Sequence, residues 1–287
     1  MGRVEPKREK CENAETAIRK AIAAHKKLSG LNISVFPQGS YPARTNVRQD
    51  SDVDICVRLN STFFTKYPEG KIDKDFGNVD GTITYPDFRT FVGEALVDYF
   101  PPGTVMAGNK AFDVHANSYR IDADVIAAFE LRRYTGRFNP DGLHHFHSGV
   151  AFVPKGGTRI ENWPKQSYEN GVKKHADTAR RFKKIVRILK RLRNKMQQEE
   201  IQAAQNVASF LIESLVWNVP DEFFGHDTYQ EDIREVLAHT FNGTLTDQAC
   251  AKWVEVNGMK WLFSQQPWTR EQAHNFISAG WDYLGLT

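Results

Sequence analysis

"FPQGSYPARTNVRQDSDVDI", residues 36–55, joins a Gly-Ser turn to an alternating stretch that carries two acids. In "DVDICVRL", residues 52–59, apolar side chains alternate with Asp, Asp, Cys and Arg, which predicts a strand with two different faces. Asp52 and Asp54 therefore project side by side on one face. Like charges this close destabilise a fold unless something neutralises them, so the pair indicates chemistry rather than packing.

A second acid-bearing strand is predicted downstream, in "YRIDADVIAAFELRRY", residues 119–134. Asp122 and Asp124 share one of its faces, and the pattern alone does not choose between them as a third carboxylate. Three carboxylates with room for phosphate oxygens suit Mg²⁺ or Mn²⁺. Two such ions can activate a hydroxyl and hold a leaving pyrophosphate. The Gly39-Ser40 turn upstream can offer backbone N–H groups to phosphates.

Three simpler interpretations of these motifs compete with the metal site. The acids could only solvate an exposed strand face. A calcium loop starting at Asp50 would need Gly sixth and Glu twelfth, where Ile55 and Ser61 stand, so it is excluded. The histidines of "LHHFHS", residues 143–148, have no cysteine nearby and lack zinc-ligand spacing, which favours a solvent loop.

The bulk composition predicts a folded protein of the cytoplasm. The chain has 287 residues, 40% of them hydrophobic, and a formal net charge of +3, too small to indicate a nucleic-acid-binding protein. No apolar run reaches membrane-spanning length, and the polar N-terminus does not resemble a signal peptide. Three widely separated cysteines fit a reducing compartment.

Hydrophobic periodicity predicts an α+β front half and a helical back half. The front half has a long amphipathic helix over residues 7–29, a strand at "ISVF" and a helix from Phe88 to Tyr99. We expect residues 60–84 to be loop and residues 135–165 to be irregular. From residue 166 onward the patterns are helical. The predicted domains are therefore a catalytic lobe over residues 1–165 and a helical lobe over residues 166–287.

The motif "GSYPARTNVRQDSDVDI" resembles the GS…DxD signature of the polymerase-β-like nucleotidyltransferases. Its "GSY…TN…SDVD" form is similar to one branch, the cGAS/DncV-like nucleotidyltransferases of bacterial anti-phage signalling. Four further blocks are similar to the CdnE-like clade of that branch: "ADVIAAFELRRY", "ENWPKQSYENG", "FKKIVRILKRLRN" and "SFLIESLVWNVP". The resemblance covers about Gly39 to Pro220 and implies a bilobal core whose helical lobe closes a nucleotide-binding cleft.

The resemblance also implies roles for individual residues. Asp52, Asp54 and Asp124 would be the catalytic acids and the ligands of two Mg²⁺ or Mn²⁺ ions. The resemblance, not the pattern, selects Asp124 over Asp122. The implied triphosphate- and base-binding residues are Gln38, Gly39, Ser40, Lys190, Ser209 and Phe210, with Arg187 as a helper. Phe210 could equally be ordinary helical core.

The resemblance also implies that Asn162 determines which base the enzyme selects. In CdnE-like enzymes a residue ahead of "YENG" contacts the base edge, and an asparagine there goes with uracil. An amide offers both a donor and an acceptor to that edge. The alternative is that Asn162 caps the helix that follows it.

The implied function is a synthase that makes a cyclic dinucleotide second messenger from UTP alone, as cyclic di-UMP, or from UTP and ATP, as cyclic UMP–AMP. We expect a monomer in the cytoplasm that needs no nucleic-acid activator or membrane, and a separate effector protein that senses the product. One alternative is a transferase that adds nucleotides to RNA ends or to a small hydroxyl acceptor. Another is a non-catalytic nucleic-acid-binding scaffold that uses the basic helix.

Overall fold

The computed structural model describes residues 7–47 and 52–286, so residues 48–51, between the Gly-Ser turn and Asp52, lie outside it. The chain divides into two compact units. The first contains the described parts of residues 1–42 and 48–164, and the second contains residues 43–47 and 165–286. The fold is α+β, as predicted.

The strands of the first unit are β1 (Ile33–Gln38), β2 (Val53–Lys66), β3 (Val105–Ala107), β4 (Phe112–Val114), β5 (Ala123–Phe138), β6 (His144–Phe152) and β7 (Ile160–Asn162). They form one mixed sheet with the order β1-β2-β5-β4-β3, to which β6 adds on β5 and β7 on β6. The central pair, β2 and β5, is parallel, and the other pairs are antiparallel. The two predicted acid-bearing strands are therefore direct neighbours.

The helices of the first unit are α1 (Lys7–Ala24), the four-residue α2 (Ser40–Ala43) and α3 (Tyr85–Tyr99). Ile18 on α1 and Phe88 on α3 are fully buried, as are Ile55 and Val57 on β2 and Val125 on β5. These apolar positions belong to one core cluster. Ile55, Val57 and Val125 point into that core, and Asp54 and Asp124 lie on the opposite face of their strands.

Two loop predictions for this unit are wrong. Residues 60–84 are not all loop, because β2 continues to Lys66 through a register shift between Leu59 and Phe63, and a 3₁₀ helix covers Asp73–Phe76. Residues 135–165 are not irregular, because they contain the end of β5 together with β6 and β7. Pairing with β5 supplies the backbone hydrogen bonds that make a strand of the polar "HHFHS" stretch, which has no strong strand pattern of its own.

The helices of the second unit are α4 (Pro164–Asp177), α5 (Phe182–Gln198), α6 (Ser209–Trp217), α7 (Tyr229–Gly243) and α8 (Arg270–Tyr283). The core of this unit is formed by α5, α6, α7 and α8, with fully buried side chains such as Phe182, Leu189, Leu211 and Phe276. No helix in the described part of the chain is both long and apolar enough to cross a membrane.

Candidate active site

The strand register aligns four polar side chains in a row across the first unit. Gln38 on β1 is opposite Asp54 on β2, and Asp54 is opposite Asp124 on β5. Asp124 is in turn opposite Asp113 on β4. Residues directly opposite one another share a face of a sheet. Three carboxylates from three neighbouring strands therefore lie on one face, on the side away from the core.

The other two predicted acids lie just before their strands. Asp52 precedes β2, is exposed, and interacts electrostatically with both Asp54 and Asp124. Asp122 precedes β5, and its Oδ1 accepts a hydrogen bond of 2.8 Å from the backbone N–H of Ala116. His115 Nδ1 is 3.6 Å from the same oxygen. The side chain of Asp122 is thus engaged in a hydrogen bond to the backbone at Ala116, whereas Asp124 lies opposite Asp54.

The electrostatics of the row show an excess of negative charge. Burial, followed by the Asp52 carboxylate, raises the pKa of Asp54 to about 6. Burial also raises the pKa of Asp124 to about 6, with smaller contributions from Asp54, Asp52 and Asp113. A carboxylate that stays ionised in such surroundings is stabilised by a cation.

The donor chemistry of this face fits divalent Mg²⁺ or Mn²⁺. Carboxylate oxygens are hard ligands, and their mutual repulsion is the energy that a bound cation would relieve. Among residues 7–47 and 52–286, no three His, Cys, Asp or Glu side chains form a closed metal-ligating group. The carboxylates share a face without being gathered into a cage, as expected for like charges that repel one another.

Gly39 brings the turn before α2 against this row of acids. Its φ of +74° lies in the left-handed region that favours glycine. A Cβ added at Gly39 would overlap the carboxylate of Asp54. The turn that carries Gly39 and Ser40 therefore contacts the acid row directly, and only glycine permits that approach.

Asn162 lies on the same sheet face as the acids. Glu130 is six residues after Asp124 on β5 and thus on the same face; it is opposite Val150, which is opposite Asn162. The Asn162 side chain is half-buried and makes no hydrogen bond with the part of the chain that the structure describes. No hydrogen bond within the described residues therefore supports the alternative role of Asn162 as a cap of α4.

Lys190 is in the core of the second unit, not on its surface. It is 2% exposed, and its Nζ donates to Glu213 Oε2 at 3.0 Å, to Thr45 O at 3.2 Å and to Thr45 Oγ1 at 3.3 Å. Thr45 Oγ1 donates to the same Glu213 oxygen at 2.8 Å. An ammonium group has three N–H donors, and all three are used here. Before it could bind a triphosphate, Lys190 would have to give up one of these partners.

Ser209 and Phe210 open α6 in the second unit. Ser209 is exposed, and its Oγ accepts a hydrogen bond of 2.9 Å from Arg193 Nη2. A hydroxyl at a helix N-terminus beside a guanidinium group suits an anion. Phe210 is half-buried and packs edge-on against Trp268, with ring centroids 6.5 Å apart. It is therefore partly engaged in core packing.

The start of α5 carries a cluster of cations. Lys183 is 7% exposed, its Nζ lies 5.8 Å from the ring centroid of Tyr168, and burial lowers its pKa. Burial, followed by the charges of Lys183 and Arg187, lowers the pKa of His175 to about 4. Arg187 Nη1 also donates to the backbone carbonyl of Arg44 at 2.7 Å. Positive charge is thus in excess here, as at a site that receives phosphates.

Sequence reasoning missed Asp113, the fourth member of the row. It lies in "FDV", residues 112–114, whose alternation is visible but too short to predict a strand. Phe112 and Val114 are buried while Asp113 is half-buried on the opposite face. Only the pairing of β4 with β5 shows that it meets Asp124.

Comparison with known proteins identifies the family. The chain is 42% identical over 279 residues to a cyclic dipyrimidine nucleotide synthase, CdnE, from Legionella pneumophila, covering 96% of this chain and 92% of that protein. The chain belongs to the cGAS/DncV-like nucleotidyltransferases. A family model for the C-terminal helical domain of these enzymes matches residues 169–285. The protein is therefore a nucleotidyltransferase of the cyclic oligonucleotide synthase type.

Two solved structures of this family resemble the fold closely. One is the Rhodothermus marinus CdnE cyclic UMP–AMP synthase with Apcpp and Upnpp, with a TM-score of 0.83 and 30% identity, covering 96% of this chain and 90% of that one. The other is the Elizabethkingia meningoseptica CdnE synthase with GTP and Apcpp, with a TM-score of 0.78 and 34% identity, covering 96% and 93%. These relatives use different bases, so membership of the CdnE group does not decide which base this enzyme takes.

Proposed function

We propose that this enzyme joins two nucleoside triphosphates, at least one of them UTP, into a cyclic dinucleotide and releases pyrophosphate at each step. The observation that carries the proposal is the placement of Asp54 opposite Asp124 on adjacent strands, with Gly39 directly against Asp54. Family membership supplies the reaction class. Candidate products are cyclic di-UMP and cyclic UMP–AMP.

The reaction assigns a task to each part of this face. The turn at Gly39 and Ser40 binds the donor phosphates through its backbone N–H groups. Mg²⁺ or Mn²⁺ bound by Asp52, Asp54 and Asp124 would lower the pKa of the acceptor hydroxyl and neutralise the charge of the pyrophosphate.

Asp124 orients the acceptor ribose hydroxyl and takes its proton. As the hydroxyl oxygen attacks the α-phosphorus, an O–P bond forms and the bond to the β-phosphate oxygen breaks. The electron pair of that bond leaves with the pyrophosphate. Repeating the step with the linear dinucleotide closes the ring.

Two observations support a pyrimidine base. Asn162 has a free amide on the same face as the acids, and an amide can pair with the N3–H and a carbonyl of uracil. The Legionella relative, at 42% identity, is named for cyclic dipyrimidine products. The proposal also includes a signalling role in anti-phage defence, with a separate effector that binds the product, and it rests there on the family alone.

The test is product analysis with labelled UTP, CTP, ATP and GTP, one at a time and together, with Mn²⁺ or Mg²⁺. Phosphatase and nuclease digestion then separates a cyclic product from linear ones. We expect a resistant uridine-containing product, and Asn162→Ser should shift incorporation away from uridine. Consumption of ATP and GTP alone, with no effect of Asn162→Ser, would contradict the pyrimidine proposal. Label that appears only on added RNA would favour the RNA-end transferase instead.

A further inference from the structure

A polar network lies on the same sheet face as the acids, between them and Asn162. Its centre is Arg58 on β2, four residues after Asp54 and on the same face. Arg58 Nε donates to Asn60 Oδ1 at 2.8 Å, and Nη1 donates to Ser148 Oγ at 3.1 Å and to Gly149 O at 3.4 Å. The Arg58 side chain therefore crosses β5, and its head lies over β6.

The network fixes the guanidinium group in one position. Ser148 Oγ, which accepts from Arg58, donates to Glu130 Oε1 at 2.8 Å, and Glu130 is 7% exposed. Glu130 Oε2 in turn accepts from Arg132 Nε at 2.8 Å. The Arg58 Cζ atom also lies 5.7 Å from the ring centroid of Phe36. A guanidinium group held by three hydrogen bonds loses little conformational freedom when it binds a ligand.

Two N–H groups in and beside this network have no hydrogen-bond partner within the described residues. Within the described residues Arg58 Nη2 has no hydrogen-bond partner. The indole Nε1 of Trp163, a residue that is 1% exposed, is buried and also has no partner there. Asn162, directly before Trp163, is the last residue of β7, the strand next to β6, and strands of a sheet are about 5 Å apart. The Arg58 head and the Asn162 amide therefore flank a small area of the same face, and each has an N–H group without a partner in the described residues.

We propose that Arg58 is a specificity residue that donates through Nη2 to a carbonyl oxygen of the pyrimidine base whose edge Asn162 reads. This inference rests on the proposed function. Uracil has two carbonyls on either side of N3–H, so an amide that takes N3–H and one carbonyl leaves the other for a second donor. Adenine presents no ring carbonyl and would leave the Arg58 donors unpaired. Such a mismatch is the strongest form of rejection that a polar site provides.

The test compares kcat/KM for UTP and ATP in the wild type and in Arg58→Lys. The variant keeps the charge but loses the planar fork of donors. We expect its preference for UTP over ATP to fall by about 10–100-fold, the value of one hydrogen bond to a charged group. Arg19→Lys, on the exposed side of α1, is the matched control and should leave the ratio unchanged. Arg58→Lys with an unaltered UTP:ATP ratio would overturn the inference.

Base analogues test the same contact in the wild type, even if Arg58→Lys folds poorly. Replacing one carbonyl oxygen with sulfur, in 2-thio-UTP or 4-thio-UTP, weakens the hydrogen bond to that position. We expect at least one analogue to lose about tenfold in kcat/KM against UTP. If both analogues react like UTP, the proposed contact does not exist. A wild type that makes no cyclic product from any triphosphate would instead refute the proposed function.

Discussion

Replacing Asp54 with asparagine should stabilise the metal-free protein while abolishing its activity. Burial and Asp52 raise the pKa of Asp54 from 3.8 to about 6, a shift of about 2 units. Each unit corresponds to about 1.4 kcal/mol, so the ionised carboxylate costs the folded state up to about 3 kcal/mol at neutral pH. The asparagine amide has nearly the same shape and no charge, and it removes this cost.

The pH dependence separates this effect from ordinary packing changes. Because the pKa of Asp54 is higher in the folded state, the carboxyl group is protonated in both states below about pH 4 and its cost is absent there. The cost develops between about pH 4 and pH 6, where the carboxyl group is ionised in the unfolded state but largely protonated in the folded state, and it is complete by about pH 8. We therefore expect Asp54→Asn to raise Tm by about 2–6 °C at pH 8 and by much less at pH 4.

Thermal unfolding of the EDTA-treated protein at pH 4, 6 and 8 measures this difference. Asp98→Asn, on the exposed part of α3, is the matched control and should have little effect at any pH. Added Mn²⁺ should raise the Tm of the wild type at pH 8 but not that of Asp54→Asn. An Asp54→Asn protein that is less stable than the wild type by the same amount at every pH would refute the electrostatic reasoning.

Further substitutions test other parts of the site. Gly39→Ala should lower the free energy of unfolding by about 1–2 kcal/mol, measured by thermal melts, because a left-handed φ is unfavourable for a residue with a side chain. It should also abolish turnover, because the added methyl group would displace the Asp54 carboxylate. A fully active variant would contradict this. In a pyrophosphate-release assay, Asp124→Asn should reduce kcat by at least about 10²–10⁴-fold, whereas Asp122→Asn should retain most activity. Equal losses in the two variants would contradict the choice of Asp124, which follows from its position opposite Asp54. Lys190→Met should destabilise the protein by about 3–5 kcal/mol, because it leaves the Glu213 carboxylate buried without its cationic partner. Adding Glu213→Gln should recover part of that loss. An unchanged melting temperature of the single variant would argue against the buried pair.

The strands that carry the acids could be predicted because their alternation is long and their apolar face is unambiguous. Val53, Ile55 and Val57 are buried as the pattern requires. What the sequence could not show is which acids meet, because Asp122 and Asp124 have the same periodicity. The parallel pairing of β2 with β5 decides this point by setting Asp124 opposite Asp54.

Other features depend on tertiary contacts that leave no local signal. The predicted role of Lys190 follows from a helical motif, but its burial depends on Glu213 and on Thr45, which is 145 residues away in sequence. The sequence pattern shows Arg58 only as one of the polar positions of a strand. Its partner Ser148 lies on β6, in a stretch whose pattern predicts irregular structure. Contacts of this kind require the register of the whole sheet.

The most direct test of the central claim is to locate bound cations by anomalous diffraction from crystals grown with Mn²⁺ and a non-hydrolysable UTP analogue. The claim is that the acids on neighbouring strands of the first unit form one cation-binding centre. It predicts manganese peaks within bonding distance of carboxylate oxygens of both Asp54 and Asp124, with the analogue's phosphates at the turn of Gly39. Manganese bound elsewhere, or a nucleotide bound with Asp124 contacting neither metal nor substrate, would contradict the account.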